Sequence, residues 1–192
     1  MRKVFVSPES RKAPHGPYTG RTGVFEHDVC YEIGKMLQAE LEGAGVLAVL
    51  ASPDSTMAQR VDWANWNVMD YYICLHTNAG GGTGTECLYY NHPASIKANQ
   101  LVYDELTKLY PSKRGLKDYS HFYENAHTKM VSCYPEIAFH DNEKDVEFIL
   151  NNKKEIAEAL CRGICAFLGV KYELPTDDDT AELKAEIQRL ED

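Results

Sequence analysis

Short apolar runs alternate with amphipathic segments along most of the chain, and this alternation is the feature that most constrains the fold. The runs at residues 3–7, 46–51 and 72–75 contain few polar residues, which is typical of strands buried on both faces. From Glu26 onward, apolar residues between these runs recur at helical spacing. Strands that alternate with helices favour a parallel sheet covered by helices. We therefore expect an α/β fold, with one three-layer domain around a twisted, mostly parallel central sheet.

The same patterns predict the remaining elements and the extent of the domain. Further strands are predicted at residues 84–90 and 130–140, the second interrupted by Pro135, and helices at 94–110 and 143–169. A helix that follows residue 52 is predicted to have Ser55 as its N-cap. The chain of 192 residues is long enough for one domain and a short appendage. We assign residues 1–172 to the domain.

Residues 173–192 are predicted to form an acidic linker and a short amphipathic helix. They contain eight acidic and two basic residues, and Leu183, Ile187 and Leu190 recur at helical spacing. An isolated helix of this length is marginal in water. We therefore expect it to pack on the domain, to self-associate, or to precede a further domain.

Composition and charge exclude several classes of protein. The net charge of −9 argues against a nucleic-acid binder. No apolar run approaches the roughly 20 residues that span a bilayer, so we expect no membrane insertion. The first ten residues lack the features of a signal peptide, which predicts synthesis in the cytoplasm. Most of the six cysteines lie in apolar runs, and we expect them to be reduced and buried.

Three polar side chains are predicted at the ends of strands or at the start of a helix. His76 ends an apolar run and precedes three glycines, Glu136 lies among apolar residues, and Glu26 begins a helix. Chemistry in open parallel sheets collects beyond the carboxyl ends of the strands. Each residue alone has a structural explanation, but together they are typical of a catalytic zinc site, which uses nitrogen and oxygen ligands and a carboxylate base.

The stretches around these residues resemble the zinc-dependent N-acetylmuramoyl-L-alanine amidases of the Amidase_3 type, particularly the endolysins of phages and prophages of Gram-positive bacteria. "CLHTNAGGG" is similar to the family's S-x-H-x-N-A stretch, "FEHDVCYEIGKML" to its glutamate-bearing helix, and "PEIAFHDN" to its V-E-x-G-F-x-x-N stretch. The resemblance covers about residues 2–172.

The resemblance implies a peptidoglycan hydrolase that cleaves the amide between N-acetylmuramic acid and L-alanine. It implies a Zn²⁺ ion bound by Glu26 and His76, with Glu136 as the general base, at the carboxyl ends of the strands. Peptidoglycan is then the partner. An enzyme of this kind acts on the cell wall after release from the cytoplasm, as in lysis.

The first zinc ligand of the family is missing from this sequence. The family has D-P-G-H-G or S-P-S-H after the first strand, whereas this chain reads "SPES", with Ser10 at the histidine position. We predict that His15, five residues later, supplies the ligand instead. The alternative is a non-catalytic, wall-binding pseudoenzyme on the same fold. A further alternative is a different zinc hydrolase, such as a carboxypeptidase.

Residues 111–130 are expected to be irregular, and several of their side chains are candidates for the cleft wall. For Tyr119, His121, Tyr123 and Glu124 we expect a surface loop, with substrate contact as the alternative. His140 is expected to have a structural role.

Overall fold

The central sheet of the computed structural model, which describes residues 1–12, 16–111, 113–173 and 189, has seven strands. They are β1 (Lys3–Pro8), β2 (Leu47–Leu50), β3 (Tyr71–Asn78), β4 (Thr85–Tyr89), β5 (Lys113–Asp118), β6 (Val131–Cys133) and β7 (Pro135–Phe139). Their order is β2-β1-β3-β7-β4-β5, and β6 also pairs with β3. All pairs are parallel except β4 with β7, which confirms the expected mostly parallel sheet.

Six helices lie in the described part of the chain, on both faces of this sheet. They are α1 (Glu26–Gly43), α2 (Met57–Trp66), α3 (Pro93–Leu109), α4 (Tyr123–His127), α5 (Glu143–Asn151) and α6 (Lys153–Leu168). The apolar sides of α1, α3, α5 and α6 pack on one face, in a cluster that includes Ile33, Val102 and Ile164. Val61 and Ala64 of α2 pack on the other face. The predicted three-layer architecture is confirmed.

Two helix boundaries differ from the sequence prediction. The helix predicted at 143–169 is two helices, because the backbone leaves the helical conformation at Asn152, where φ is −126°. The N-cap of α2 is Thr56 rather than Ser55. Thr56 and Gln59 form a reciprocal capping box, which leaves the Ser55 hydroxyl to donate to Ser52 O.

The irregular structure expected at residues 111–130 is wrong for most of that segment. It contains strand β5 and helix α4, whose side chains are too polar to show strand or helix periodicity. The interruption predicted in the strand at 130–140 occurs at Tyr134, between β6 and β7, next to Pro135.

The cysteine prediction is confirmed, since all six are buried and none forms a disulfide. None of the described helices combines the length and apolar character needed to cross a bilayer. The predicted C-terminal linker and helix lie outside the described residues, apart from residues 173 and 189.

Candidate metal centre and catalytic site

Glu9 lies directly beyond the carboxyl end of β1. Its N–H donates to Leu75 O at 3.0 Å, so the chain continues alongside β3 for one more residue. The side chain is buried, and its Oε2 atom lies 3.0 Å from Nδ1 of His76, near the end of β3. Parallel pairing of β1 with β3 therefore brings a carboxylate to an imidazole that follows it by 67 positions.

Glu26 reaches the same imidazole from the first turn of α1. It is 2% exposed, its Oε1 atom lies 3.4 Å from His76 Nδ1, and it accepts the Thr77 N–H at 2.7 Å. One ligand atom from each of Glu9, Glu26 and His76 lies within 4.8 Å of the others. Two carboxylates and an imidazole at this spacing are a donor set that suits a divalent metal ion such as zinc.

Ser10, the residue predicted from sequence to occupy the histidine position, does not join this cluster. Its hydroxyl donates to Ser55 O at 2.8 Å and accepts the Lys12 N–H at 3.1 Å. The preceding residue, Glu9, supplies a carboxylate instead, and the sequence signal for it was an acidic residue directly after a buried strand. His15 lies outside the described residues, so its role as a ligand stays a prediction.

Glu136 lies on β7, between the cluster of Glu9, Glu26 and His76 (the metal cluster below) and Glu86. It pairs in register with His76 on β3 and with Glu86 on β4. Its Oε2 atom is buried and has no hydrogen-bond partner among the described residues. Burial raises the pKa of Glu136 to about 8; His76 opposes this rise, and Glu26 adds to it. A carboxylate with this pKa suits proton transfer near neutral pH.

The His76 ring is held in a fixed orientation. It stacks on Tyr134, with ring centroids 4.5 Å apart. Burial lowers the pKa of the imidazole, but hydrogen bonds to Glu26 and Glu9 outweigh burial and raise the pKa well above its ordinary value. A metal ion bound at Nδ1 would replace a proton there, because imidazole ligates in its neutral form.

These groups line a cleft of about 530 Å³ whose opposite wall comes from α2 and α4. Arg60 and Glu124 are buried in that wall. Arg60 donates to Pro8 O and to Ser52 O, which ties α2 to the end of β1. Glu124 accepts hydrogen bonds from the hydroxyl groups of Ser7 and Tyr72, at 2.7 and 2.6 Å.

The expectation of a surface loop is wrong for Glu124, which is buried on helix α4; Tyr123 begins the same helix, is exposed as expected, and lines the cleft with Glu124. Sequence reasoning missed Arg60 as well, because nothing local distinguishes it from a surface arginine on a helix. His140 lies beside the metal cluster, with Nδ1 3.0 Å from Thr77 Oγ1 and 3.8 Å from Glu26 Oε2.

Known proteins are similar to this chain in sequence and in fold. The Amidase_3 family, described as N-acetylmuramoyl-L-alanine amidase, matches residues 13–166. The N-acetylmuramoyl-L-alanine amidase CwlM of Bacillus licheniformis is 27% identical over 154 residues, which are 77% of this chain. The chain spans 60% of the length of that relative.

Two solved structures superpose on most of the chain. The N-acetylmuramoyl-L-alanine amidase AmiC2 of Nostoc punctiforme has a TM-score of 0.79 at 25% identity, and covers 88% of this chain and 97% of its own. The catalytic domain of the amidase CwlV from Bacillus (Paenibacillus) polymyxa var. colistinus has a TM-score of 0.80 at 21% identity, with coverage of 89% and 100%. On the family match and this shared fold, the chain belongs to the Amidase_3 family of N-acetylmuramoyl-L-alanine amidases.

Proposed function

We propose that this chain is a zinc-dependent peptidoglycan hydrolase that cleaves the amide between the lactyl group of N-acetylmuramic acid and L-alanine. Family membership supports the amidase activity. The observation that carries the mechanism is a buried oxygen of Glu136 that has no hydrogen-bond partner in the described part of the chain and lies beside the cluster of Glu9, Glu26 and His76. A proton acceptor next to three candidate ligands is the minimum that hydrolysis assisted by a metal requires.

The donor chemistry of the cluster fits a zinc ion. Glu9 and Glu26 are buried carboxylates, and one oxygen of each lies within 3.4 Å of His76 Nδ1. Buried charges are costly unless they are paired or coordinate a metal. Zinc takes three protein ligands from His and Glu in catalytic sites and leaves a fourth position open. We propose Glu26, His76 and Glu9 as those three ligands.

Glu136 is the proposed general base. When bound, zinc supplies Lewis-acid polarisation of the scissile carbonyl and acidifies the attacking water. Glu136 accepts the proton of that water and returns it to the nitrogen of L-alanine as the C–N bond breaks. The products are a carboxylic acid on the lactyl group and a free amine on the peptide, so atoms and protons balance.

The loop after β3 leaves room for a bulky glycopeptide. Gly80 and Gly81 have φ of +110° and +76°, which side chains rarely adopt, and a Cβ at either would meet no atom within 4 Å. Their N–H groups donate to Asp141 Oδ2 at 2.7 and 2.8 Å, which holds the loop in place. A substrate can therefore approach the cleft from this side without displacing side chains.

The pseudoenzyme alternative depends on the missing histidine at position 10. Glu9 offers a third ligand from the adjacent position, which removes the main reason for that alternative. The resemblance to endolysins is the basis for proposing a role in lysis, in which the enzyme reaches the cell wall after release from the cytoplasm.

The test of this function is Glu136→Gln. We expect the variant to fold and to retain zinc, but to lose activity by a factor of about 10²–10⁴, since the base is removed while the ligands remain. Release of new amino groups from purified walls measures the rate, and the zinc content of the purified protein is measured in parallel. Glu147→Gln, an exposed acid on α5, is the matched control.

Two results contradict the proposal. Near wild-type hydrolysis by Glu136→Gln would remove this residue from the mechanism. Mass spectrometry of the wild-type products must also show a free lactyl carboxylate and an N-terminal L-alanine. Release of amino acids from the end of the stem would instead indicate a carboxypeptidase.

A further inference from the structure

Two cations lie across Glu136 from the metal cluster. On the side of β7 away from His76, Glu136 pairs with Glu86 of β4. Glu86 is 4% exposed, and its Oε2 atom accepts from Arg114 Nε and from Lys117 Nζ, each at 2.6 Å. His76, Glu136 and Glu86 thus form a row across β3, β7 and β4, and the two cations of β5 lie at the Glu86 end of this row.

Arg114 and Lys117 together carry two positive charges and more N–H donors than their hydrogen bonds to Glu86 engage. A guanidinium has five N–H donors and an ammonium three. Within the described ranges, Arg114 and Lys117 each make a single hydrogen bond, both to one oxygen of Glu86. Their side chains are 34% and 38% exposed, so the remaining donors are accessible. One carboxylate neutralises one cation, which leaves one positive charge at this position.

The space beside Gly115 is open, and Glu86 is hydrogen-bonded to a residue of the cleft wall. Gly115 pairs with Glu86 on the side of β4 opposite β7, and a Cβ at Gly115 would meet no atom within 4 Å. Asn78, which lines the cleft, donates to the other oxygen of Glu86 at 2.7 Å. Arg114 and Lys117 are therefore linked to the cleft wall through Glu86, which is hydrogen-bonded to both cations and to Asn78.

Arg114 is also held in position. The register between β4 and β5 shifts between Thr85 and Glu86, and such a bulge re-aims a side chain. The guanidinium lies 4.8 Å from the centroid of the Phe139 ring. Charged side chains on an edge strand also prevent edge-to-edge pairing. That role does not require two cations to converge on one buried carboxylate.

We propose that Arg114 and Lys117 form a subsite for a carboxylate of the stem peptide, on the amine side of the bond that is cleaved. The inference rests on the proposed function. Directly opposite residues of an antiparallel pair have Cβ atoms about 5 Å apart. The cations therefore lie roughly 10 Å from Glu136. The α-carboxylate of the glutamate that follows L-alanine lies about two extended residues, roughly 7 Å, from the cleaved bond, and a hydrogen bond of about 3 Å to a cation covers the remaining distance.

The test compares two purified wall preparations that differ only in that α-carboxyl group, which is free in one and amidated in the other. The measured quantity is the ratio of initial rates on the two walls at subsaturating concentration. We expect the wild-type chain to prefer the free carboxylate by about tenfold, the effect of one charge-assisted hydrogen bond. Arg114→Gln combined with Lys117→Gln should bring the ratio close to one.

Two further variants separate recognition from structural damage. Lys113→Gln removes a cation of the same strand that does not hydrogen-bond to Glu86 in the described structure, and it should keep the wild-type ratio. Glu86→Gln leaves both cations without their neutralising carboxylate, and it should raise the ratio. A purely structural ion pair would lower both rates together and leave the ratio unchanged in every variant.

The outcomes distinguish this inference from the proposed function. Equal hydrolysis of both walls by the wild-type chain, or an unchanged ratio in the double variant, would overturn the subsite. A wild-type chain that hydrolyses neither wall would overturn the proposed function itself.

Discussion

The side chains of Glu9 and Ser10, neighbours just after β1, contact different parts of the molecule. The Glu9 carboxylate faces His76 at 3.0 Å, whereas the Ser10 hydroxyl bonds to Ser55 O at 2.8 Å on the other side of the chain. Arg60 stabilises this arrangement, because its buried guanidinium binds the carbonyl of Pro8. A histidine at position 10 would therefore begin from a backbone position that directs side chains away from the cluster.

Glu9→Gln should lower the affinity of the chain for zinc. Removing a charged ligand costs at least as much as removing the groups that orient ligands, which is about 10–100-fold in affinity. Competition against a chelator measures the affinity, and His15→Ala is compared in the same assay to test the prediction from sequence. If Glu9→Gln binds zinc like the wild-type chain while His15→Ala loses it, His15 is the third ligand and Glu9 is not.

Helices α3 and α6 approach each other closely on the face of the sheet that carries the long helices. A Cβ at Gly163 would lie 2.7 Å from the Cα of Val102 and 2.9 Å from its backbone nitrogen. Because these are backbone atoms, neither helix can relieve the overlap by changing a rotamer. The glycine therefore sets the distance between two helices that cover the larger apolar cluster.

Gly163→Ala should lower the free energy of unfolding by about 1–3 kcal/mol, the usual cost of overpacking a core. Gly43→Ala, at the end of α1, is the matched control, since a Cβ there meets no atom within 4 Å. It should be neutral or stabilise the chain by up to about 1 kcal/mol, as alanine favours the helix. Urea unfolding at equal m-values measures both. Equal stability of Gly163→Ala and the wild-type chain would contradict the close contact.

The two faces of the sheet are covered by different helices and differ in the size of their apolar clusters. One face carries the long helices and most of the core, and the other carries α2 and α4; the cleft lies at the carboxyl ends of β1 and β3, where Glu26 of α1 also lines it. At the end of the described domain, the hydroxyl of Tyr172 donates to Glu40 of α1 at 2.5 Å. Glu173, the next residue, pairs only with exposed Lys171 in the described structure.

A chain that ends after Tyr172 should keep its fold and its amidase activity. The segment "PTDDD" that follows is too polar to pack against the domain. Activity on soluble muropeptides and the midpoint of thermal unfolding are compared with the full chain, and size-exclusion chromatography shows whether residues 173–192 drive association. A large loss of stability would mean that Leu183, Ile187 and Leu190 belong to the core.

Local patterns in the sequence were sufficient for the architecture and for part of the candidate site. Strand and helix periodicity depends on residues a few positions apart, so it predicted the α/β order of elements and put His76 and Glu26 at element ends. It failed at residues 111–130 because an edge strand and a one-turn helix in a polar segment have no such periodicity. The break at Asn152 was missed because apolar spacing continues across it.

Only the tertiary structure decided which polar groups meet. Glu9 reaches His76 because β1 pairs with β3, and Glu86 lies beside Glu136 because β4 inserts antiparallel to β7. Glu124 is buried, and its carboxylate accepts hydrogen bonds from the hydroxyls of Ser7 and Tyr72, which are distant in sequence. Strand order and register control these contacts. Both arise from packing the whole core, and no short stretch of sequence encodes them.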